Sequence, residues 1–399
     1  MTVGAAATPP VRPRERLAEG LRVALFSDTY PPQVNGVART LARLAEAIRA
    51  RGGAVRVFCT EDPDAEPHPD VVRYPSTPFW AYPQLQLALP RFPRAKTDLA
   101  AWQPTLVHAA TPFGVGLSGR HAARALGLPF VTSYHTSLSA YARFYRLGAL
   151  SEPGWAFLRW FHNSGRRTYC PTVAVQREIE AHHFTHTAIW SRGVETHRFA
   201  PAFRSAAMRA ELGADDDTML VTYVGRIAVE KGLPVLARAI TRVVAERGAR
   251  KVRFALAGDG PYMAEMRGAV PAEVTFTGML GGERLSQFYA AGDVFVFPSV
   301  TDTFGNVLME AMASGVPIVG AEAGPTRELV GEDRGLLFPE GDDAACAAAL
   351  LGLADDPGRR RAMAAAGLAY AGARSWDVIF DDLIADYRHV VDAAAAERA

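Results

Sequence analysis

Short apolar runs alternate with longer amphipathic stretches along most of the chain. A helix is predicted from Val37 to Arg51, because the Gly52-Gly53 pair that follows is typical of a helix end. Near-continuous apolar strands separated by helices predict a parallel sheet that is covered on both faces. The strands predicted in the first half are Leu21–Ser27, Ala54–Thr60, Thr105–Ala110, Pro129–Tyr134 and Thr172–Val175.

The same alternation restarts in the second half of the chain. Between the two series, the segment from Ser191 to Asp217 is richer in charge and less periodic, so the inter-domain linker is predicted near its start. Two doubly wound α/β domains are therefore expected, with ligands bound at the carboxyl ends of their strands. The strands predicted in this half are Met219–Val224, Val252–Ala257, Val274–Phe276, Val294–Pro298 and Pro317–Val319.

The composition is that of a soluble globular protein. The chain has 399 residues, of which 49% are hydrophobic and 21% charged, a length that fits two domains. No apolar run approaches the ~20 residues of a membrane-spanning helix. The three cysteines are widely spaced, which argues against disulfides and favours a reducing compartment. A net charge of +1 argues against a nucleic-acid partner.

The first twenty residues have no continuous apolar core of the kind that a signal peptide needs. They are predicted to form a flexible leader, and the protein is expected in the cytoplasm.

The first predicted strand leads into the loop DTYPPQVNGV, which ends with Asn35, Gly36 and Val37. Its two prolines stiffen the loop. Gly36 permits close approach of the backbone to a ligand at a helix start, where N–H groups and the helix dipole favour an anion. A plain strand-to-helix turn is the alternative explanation.

Two cations follow the first strand of the second series. Arg226 and Lys231 lie in a loop that begins with Gly225 and precedes a helix predicted near Leu233. Such a pair suits a diphosphate, with Arg as a fork and Lys as a point charge. The loop is not a Walker P-loop, since it lacks Gly-x-x-x-x-Gly-Lys. A solvated pair of surface charges is the alternative.

Glycines also follow the next two strands of this series. Gly258 and Asp259 come after Val252–Ala257, and Gly278 comes after Val274–Phe276. Glycine at these ends leaves room for a nucleoside against the backbone, although each is a weak indication alone.

The most specific pattern lies between Pro298 and Gly315. A helix is predicted from near Asn306 to Gly315, with Asp302 in the loop before it and Glu310 within it. Two acids and the free N–H groups of a helix start are suited to a polyhydroxylated ring and its phosphate. A helix-capping acid and a surface glutamate are the alternative for the two residues alone.

Five motifs, in order, resemble those of the retaining GT-B glycosyltransferases with an acid-x7-acid motif, the family of GDP-mannose-dependent lipid alpha-mannosyltransferases and sulfoquinovosyltransferases. The resemblance extends over Leu21 to Arg388 and implies two Rossmann-like doubly wound domains facing a central cleft. Many members have glutamate at the first acid, where this chain has Asp302; aspartate also occurs in the lipid-mannosyltransferase-like branch. The motifs are DTYPPQVNGVART, SYHT, VGRIAVEKGL, AGDGP and TDTFGNVLMEAMASGVPIV.

The resemblance also implies a domain organisation. After the leader (1–20), residues 21–192 are expected to form an N-terminal acceptor domain and residues 193–375 a C-terminal nucleotide-sugar donor domain. Residues 376–399 are expected to form an amphipathic helix that crosses back to the N-terminal domain.

Four catalytic residues are implied by the resemblance. Arg226 and Lys231 neutralise the diphosphate leaving group, and Asp302 holds sugar hydroxyls. His135, at the end of a predicted strand, lies beside the anomeric carbon. Since most histidines are structural or exposed, a structural role is the alternative for His135.

The resemblance further implies a set of donor-binding residues. Gly36 approaches the donor phosphates, the backbone of residues 304–306 holds the sugar, and Glu310 contacts the ribose. The whole set is Asn35, Gly36, Gly258, Asp259, Gly278, Phe304, Gly305, Asn306, Val307 and Glu310.

The reaction expected from this resemblance is transfer of a hexose to a lipid with retention of anomeric configuration, mannose from GDP-mannose being the first choice of donor. Fixed positive potential from Arg226, Lys231 and the helix start near Asn306 meets the charge on the leaving diphosphate, so no metal or other cofactor is expected. The histidines His182 and His186 have no acid beside them and are interpreted as part of a surface turn, not as zinc ligands.

Two segments suggest contact with an anionic membrane. The segment Phe79–Lys96 places aromatic residues and leucines beside Arg91, Arg94 and Lys96, and Tyr141–Arg146 repeats the aromatic-basic pattern. Peripheral association with the inner face of the plasma membrane would follow. Packing of the aromatic residues against the first domain is the alternative.

Other functions stay open at this point. One is a transferase that uses UDP-glucose or UDP-sulfoquinovose, or that has a soluble acceptor. The other is a non-enzymatic nucleotide-binding scaffold, which the joint presence of the polar candidates disfavours. The base of the donor, the acceptor and the oligomeric state are not predicted.

Overall fold

The computed structural model describes residues 13–33, 35–79, 82–135 and 151–399. The strands of its first half are β1 (Arg22–Ser27), β2 (Ala54–Thr60), β3 (Val71–Tyr74), β4 (Ser76–Phe79), β5 (Tyr82–Ala88), β6 (Leu106–Ala109), β7 (Phe130–Ser133), β8 (Arg167–Cys170) and β9 (Thr187–Ile189). Seven of them form a parallel sheet in the order β3-β2-β1-β6-β7-β8-β9, and β4 pairs antiparallel with β5.

The second half contains a six-stranded parallel sheet. Its strands are β10 (Met219–Val224), β11 (Val252–Ala257), β12 (Thr275–Gly278), β13 (Val294–Phe297), β14 (Ile318–Ala321) and β15 (Gly335–Phe338). They are arranged in the order β12-β11-β10-β13-β14-β15. The predicted fold class of two doubly wound parallel-sheet domains is confirmed.

Fourteen helices are described around the two sheets. They are α1 (Gly36–Ala50), α2 (Phe92–Trp102), α3 (Gly114–Ala125), α4 (Ser151–His162), α5 (Val173–Ala181), α6 (Ala206–Glu211), α7 (Leu233–Arg247), α8 (Met263–Ala269), α9 (Gly282–Ala291), α10 (Asn306–Ala313), α11 (Gly324–Val330), α12 (Asp343–Asp355), α13 (Pro357–Gly372) and α14 (Trp376–Ala396).

Apolar side chains are buried on both faces of each sheet. In β1, Val23 and Leu25 belong to one hydrophobic cluster, while Ala24 and Phe26 belong to another. Successive side chains of a strand point to opposite faces, so both faces of β1 are covered. This is why the central strands are continuous apolar runs rather than alternating ones.

The prediction of a strand at Thr172–Val175 is wrong. The strand of this region is β8, and Thr172 is the N-cap of α5, its hydroxyl accepting a hydrogen bond from the Val175 N–H at 3.2 Å. The β-branched residues of this segment have a high propensity for strands. At the N-cap, however, the threonine hydroxyl accepts a hydrogen bond from an N–H group of the first helical turn, which favours a helix start.

Helix α14 packs on the first sheet and not on the second. Its buried side chains share one hydrophobic cluster with Val23 of β1 and Val131 of β7. The Arg51 guanidinium, whose side chain is only 5% exposed, bonds the Asp381 carboxylate of α14 at 2.5 Å. The buried side chains of α14 in this cluster are Trp376, Phe380, Leu383, Ile384, Tyr387 and Val390.

The chain crosses between the domains twice, and the two crossings lie side by side. Val194 and Ser375 form a parallel β-bridge. A Cβ added to Gly193 would lie 2.4 Å from the Trp376 backbone nitrogen, so only glycine permits this approach. The two crossings therefore form one narrow connection.

Residues 13–20, the end of the expected leader, are held against α14. Arg14 forms ion pairs with Asp381 at 2.8 Å and Asp377 at 3.0 Å. Ala18 is fully buried, and the Arg388 guanidinium donates to the Leu17 carbonyl oxygen. This part of the segment is packed rather than flexible, because arginine contacts that the sequence does not reveal hold it to the last helix.

Candidate active site

Loops that follow β7 and β13 touch each other between the two sheets. The Thr303 hydroxyl donates a hydrogen bond of 2.7 Å to the His135 carbonyl oxygen. The Thr172 hydroxyl is 3.5 Å from the Thr303 carbonyl oxygen. A Cβ added to Gly36 would lie 3.2 Å from Asn306 Nδ2. Residues that the sequence suggested from both halves therefore meet at one interface.

Asn35 fixes the start of α1, and Gly36 presents its backbone next to it. The Asn35 carboxamide oxygen accepts a hydrogen bond from the Ala38 N–H at 2.8 Å, and its amide donates to Thr29 Oγ1 at 2.7 Å. Gly36 is exposed and faces α10 of the other domain. Asn35 is thus a helix cap, and Gly36 leaves free the space that a side chain would occupy.

Lys231 and Asp302 form an ion pair at the carboxyl ends of β10 and β13. Lys231 Nζ donates to Asp302 Oδ1 at 2.8 Å, and the Ser299 hydroxyl donates to Asp302 Oδ2 at 2.5 Å. Burial would raise the pKa of Asp302, but the Lys231 ammonium and these hydrogen bonds outweigh it and lower the pKa. Asp302 is therefore an anion whose two oxygens are both oriented.

Arg226 lies at the same edge as Lys231. It is half-buried in the loop that follows β10, and its carbonyl oxygen accepts a hydrogen bond from the Tyr223 hydroxyl at 3.0 Å. The two cations are thus five positions apart on one loop whose backbone is held by contacts to β10.

At the carboxyl ends of β10, β11 and β12, backbone atoms form a surface without large side chains, which is called the floor below. The Gly258 N–H donates to the Gly278 carbonyl oxygen at 2.8 Å. Gly258 has φ +140°, and a Cβ there would lie 1.9 Å from the Gly225 carbonyl oxygen, so no other residue fits. Asp259 is exposed, and its carboxylate accepts a hydrogen bond from the Gly260 N–H at 2.7 Å.

Helix α10 begins at the interface between the two domains. Gly305 is its N-cap with φ +88°. The side chain of Phe304 is 6% exposed in the hydrophobic core, and Val307 packs against the same cluster. The side chains of Phe304 and Val307 are hence structural. The Leu308 N–H donates to the Gly305 carbonyl oxygen at 2.9 Å. The start of an α-helix carries partial positive charge, a suitable environment for an anion.

Glu310 is held by a tyrosine that the sequence analysis missed. The Tyr289 hydroxyl of α9 donates to Glu310 Oε2 at 2.7 Å. Burial raises the pKa of Glu310, although this hydrogen bond and the guanidinium groups of Arg39, Arg43 and Arg198 oppose the shift. One carboxylate oxygen is thereby oriented, and Oε1 makes no hydrogen bond to the described residues.

His135 is 9% exposed and is held by Arg192. Arg192 Nη2 lies 2.7 Å from His135 Nδ1, and the ring packs edge-on against Trp190 at 5.4 Å. Burial, followed by the charge of Arg192, holds the pKa of His135 well below its usual value. His135 Nε2 is buried and has no hydrogen-bond partner in the described part of the chain.

Arg192 was missed because it lies in the segment interpreted as a linker. It follows β9 and is 6% exposed, although arginine is rarely buried. An arginine directly before the glycine of a domain crossing is the only indication that the sequence offers.

The structure describes other predicted features only in part. Among the described residues, no group of three or more His, Cys, Asp or Glu side chains is arranged to hold a metal ion. His182 stacks on Trp155 with ring centroids 3.7 Å apart. Arg91, Arg94 and Lys96 are exposed. The segment 141–146 lies outside the described residues.

Comparison with known proteins assigns a family. The profile of "Glycosyl transferases group 1" matches residues 218–356, and that of "Glycosyltransferase Family 4" matches residues 34–198. The GDP-mannose-dependent alpha-mannosyltransferase of Mycolicibacterium smegmatis is 35% identical over 380 residues, or 93% of this chain and 98% of the relative. The chain belongs to the GT-B glycosyltransferases.

This glycosyltransferase is also similar to two enzymes whose names differ from that of the mannosyltransferase. The sulfoquinovosyl transferase SQD2 of Arabidopsis thaliana is 34% identical and covers 87% of this chain and 69% of that protein. The alpha-monoglucosyldiacylglycerol synthase of Streptococcus pneumoniae is 30% identical, with 75% of this chain and 70% of that protein covered.

Solved structures share the GT-B fold. The sucrose-phosphate synthase of Thermosynechococcus elongatus has a TM-score of 0.75 at 21% identity and covers 94% of this chain and 100% of that one. HepE of Anabaena, solved in complex with UDP-glucose, has a TM-score of 0.73 at 20% identity and covers 92% and 99%. These two likenesses concern the fold of the chain.

Proposed function

We propose that this glycosyltransferase moves mannose from GDP-mannose to a lipid acceptor with retention of anomeric configuration and without a metal ion. The observation that carries the proposal is the oriented pair of Lys231 and Asp302 beside the start of α10, facing Gly36 and His135 across the domain interface. The choice of donor is supported by the mannosyltransferase relative, which aligns over 98% of its length.

Charge builds on the diphosphate as the bond to the sugar breaks. Lys231, Arg226 and the first N–H groups of α10 supply positive charge that is fixed before the reaction, and such fixed charge stabilises a transition state without reorganisation. The Lys231–Asp302 hydrogen bond keeps the ammonium in place. These groups take the role that a divalent cation has in other transferases.

Asp302 and His135 are the candidates for contact with the sugar. Asp302 is an acceptor for sugar hydroxyls, because its pKa is lowered and it stays ionised. Oε1 of Glu310 is suited to the ribose hydroxyls, since Oε2 is bound to Tyr289. For retention, we propose attack of the acceptor hydroxyl on the same face that the diphosphate leaves, with a diphosphate oxygen taking its proton.

A UDP-sugar is the second candidate donor. SQD2 and the alpha-monoglucosyldiacylglycerol synthase are nearly as similar as the mannosyltransferase, and HepE has been solved with UDP-glucose. The floor around Gly258 and Gly278 is made of backbone, which is compatible with either base.

We further propose that the acceptor is reached at an anionic membrane surface. Leu89 is 77% and Phe92 39% exposed, beside the exposed cations Arg91, Arg94 and Lys96. On such a surface, the apolar groups favour membrane binding by inserting into the bilayer interface, and the basic groups favour it by attracting anionic headgroups. No helix of the described residues has both the length and the apolar character to span a bilayer. Peripheral association from the cytoplasmic side fits these features.

A donor panel tests the proposal. A true donor stabilises the folded protein by mass action, so GDP-mannose is expected to raise the melting temperature more than UDP-glucose or UDP-sulfoquinovose does. Transfer to diacylglycerol-based lipids is then measured with and without EDTA, and NMR of the product gives the anomeric configuration. A larger shift with a UDP-sugar would favour the second candidate; loss of transfer in EDTA that magnesium restores would contradict metal independence.

A further inference from the structure

The surroundings of His135 fix which of its ring nitrogens carries the proton. Arg192 Nη2 lies 2.7 Å from His135 Nδ1. A guanidinium group has only donors. Burial lowers the pKa of Arg192 to about 9, which still leaves it protonated at neutral pH, so Nδ1 must accept this hydrogen bond. A neutral imidazole with an accepting Nδ1 carries its proton on Nε2.

His135 is also kept neutral by its neighbours. The groups that face it are the Arg192 guanidinium after β9, His108 on β6 and His162 on α4. The Arg192 charge opposes a positive charge on the ring, whereas burial lowers the pKa of His108 and of His162 to about 3 and leaves both neutral at physiological pH. Burial of the His135 ring acts in the same direction as the Arg192 charge and more strongly. The ring is therefore a neutral donor at Nε2 over the physiological range of pH.

Arg192 is itself rigidly held. Its Nη1 donates to the Trp190 carbonyl oxygen at 2.8 Å and to the Ser191 carbonyl oxygen at 3.2 Å, and its guanidinium lies over the Trp190 ring at 4.8 Å. Within the described residues it forms no ion pair with a carboxylate. Its position depends on backbone contacts, so it does not move with the charge state of the site.

The Nε2 atom of His135 has no acceptor in the described chain although it is buried. A buried donor without a partner is unfavourable, and the imidazole is at the interface where the His135 carbonyl oxygen meets Thr303 of the donor domain. An oxygen acceptor would satisfy this N–H, and a hydroxyl of the donor sugar is an acceptor of that kind.

We propose that Arg192 is a positioning residue that holds His135 as an Nε2–H donor for a hydroxyl oxygen of the donor sugar. The identity of that oxygen depends on the proposed function; the tautomer does not. Arg192 acts through His135 and has no contact of its own with the substrate in this proposal.

The tautomer is measured first, without substrate. In protein labelled with ¹⁵N-histidine, two-dimensional NMR distinguishes the protonated from the unprotonated ring nitrogen, and the signal lost in His135→Gln identifies the residue. We expect an Nε2–H ring in the parent and a mixture of tautomers in Arg192→Met. An Nδ1–H ring in the parent, or an unchanged tautomer in Arg192→Met, would overturn the proposal.

Kinetics then separate positioning from simple support of the fold. Arg192→Met is expected to lower kcat at least tenfold with a smaller change in donor KM, and to show an acidic limb in its pH–rate profile that the parent lacks, because His135 then gains a proton more easily. Arg192→Lys, which keeps a charged donor, should restore the Nε2–H tautomer and most of the activity. The control Arg177→Gln changes an exposed arginine of α5 and should leave all three properties unchanged.

The results distinguish this proposal from the proposed function. If the donor is not a nucleotide-sugar, transfer fails in the parent, while the tautomer of His135 and its dependence on Arg192 are still observed. If Arg192 only supports the fold, Arg192→Met lowers the melting temperature without a new acidic limb, and the proposal is wrong. Should Arg192→Met fail to fold, the Arg192→Lys protein decides the matter, since an Nδ1–H ring there contradicts the proposal.

Discussion

Replacement of Lys231 by glutamine removes one charge from the proposed leaving-group site while an N–H donor remains in the loop. In the parent, Lys231 Nζ bonds Asp302 Oδ1 at 2.8 Å. Without the ammonium, burial dominates at Asp302, so we expect the pKa of this carboxyl to rise instead of being lowered. A single substitution thus removes a positive charge from the diphosphate site and makes Asp302 less readily ionised.

The expected loss of activity is larger than the loss of stability. Removal of one donor from a developing oxyanion costs about 2.7–4 kcal/mol. The Lys231 and Asp302 side chains are 18% and 27% exposed, and Arg226 remains, which places the effect near the lower end. About 3 kcal/mol corresponds to a kcat lower by about 150-fold. A partly exposed ion pair contributes only about 1 kcal/mol or less to the free energy of unfolding.

Steady-state kinetics at saturating acceptor, together with thermal unfolding, measure both quantities. The control is Lys251→Gln, because Lys251 is exposed directly before β11, at the end of the sheet opposite to the interface. We expect its kcat to stay within twofold of the parent. If Lys231→Gln and Arg226→Gln each keep kcat within threefold of the parent, these residues do not meet the leaving group and the assignment is refuted.

Three further predictions concern other parts of the molecule. His135→Ala should lose transfer but keep nucleotide affinity, as measured by calorimetry with GDP; loss of nucleotide binding with retained activity would contradict its placement beside the sugar. Combined replacement of Arg91, Arg94 and Lys96 by glutamate should weaken co-sedimentation with anionic vesicles at low salt, since each basic residue contributes about 1 kcal/mol to membrane binding. Hydrolysis of the donor should continue in this variant. Unchanged sedimentation would refute the proposal that these residues bind a membrane. Burial lowers the pKa of His162 from 6.5 to about 3, so its contribution to stability is complete above the unfolded pKa and decreases as the pH falls below it. Between pH 8 and pH 5.5, the free energy of unfolding measured with denaturant should therefore fall by about 1.4 kcal/mol less in His162→Gln than in the parent. Equal decreases in the two proteins would show that the ring is protonated when folded.

The strands were predictable where burial is continuous. The limits of β10 and β11 follow directly from their apolar runs, because a strand covered on both faces admits almost no polar residue. Thr172 was misassigned because its hydroxyl acts on a backbone N–H three residues later, and the propensity of a β-branched residue does not reveal this contact.

The site was predictable only for residues within a motif. Lys231, Asp302 and Glu310 lie in loops and helix starts that their local pattern indicates. Arg192 acts on a histidine 57 residues away, and Tyr289 on a glutamate 21 residues away. Such contacts arise from the folded arrangement of strands and helices, which a single sequence does not record at either position.

The packing of α14 on the first sheet has a consequence for the order in which the protein folds during synthesis. All strands of the second sheet lie between residues 219 and 338, so the ribosome has delivered them before α14 emerges. The first sheet receives Trp376, Phe380 and Tyr387, which complete its hydrophobic cluster, only after the second sheet has been synthesised. Domains usually fold in the order of synthesis, N-terminal first. Of the two domains, the one begun first is therefore completed second, and a nascent chain that lacks α14 exposes the apolar surface of the first sheet that this helix covers.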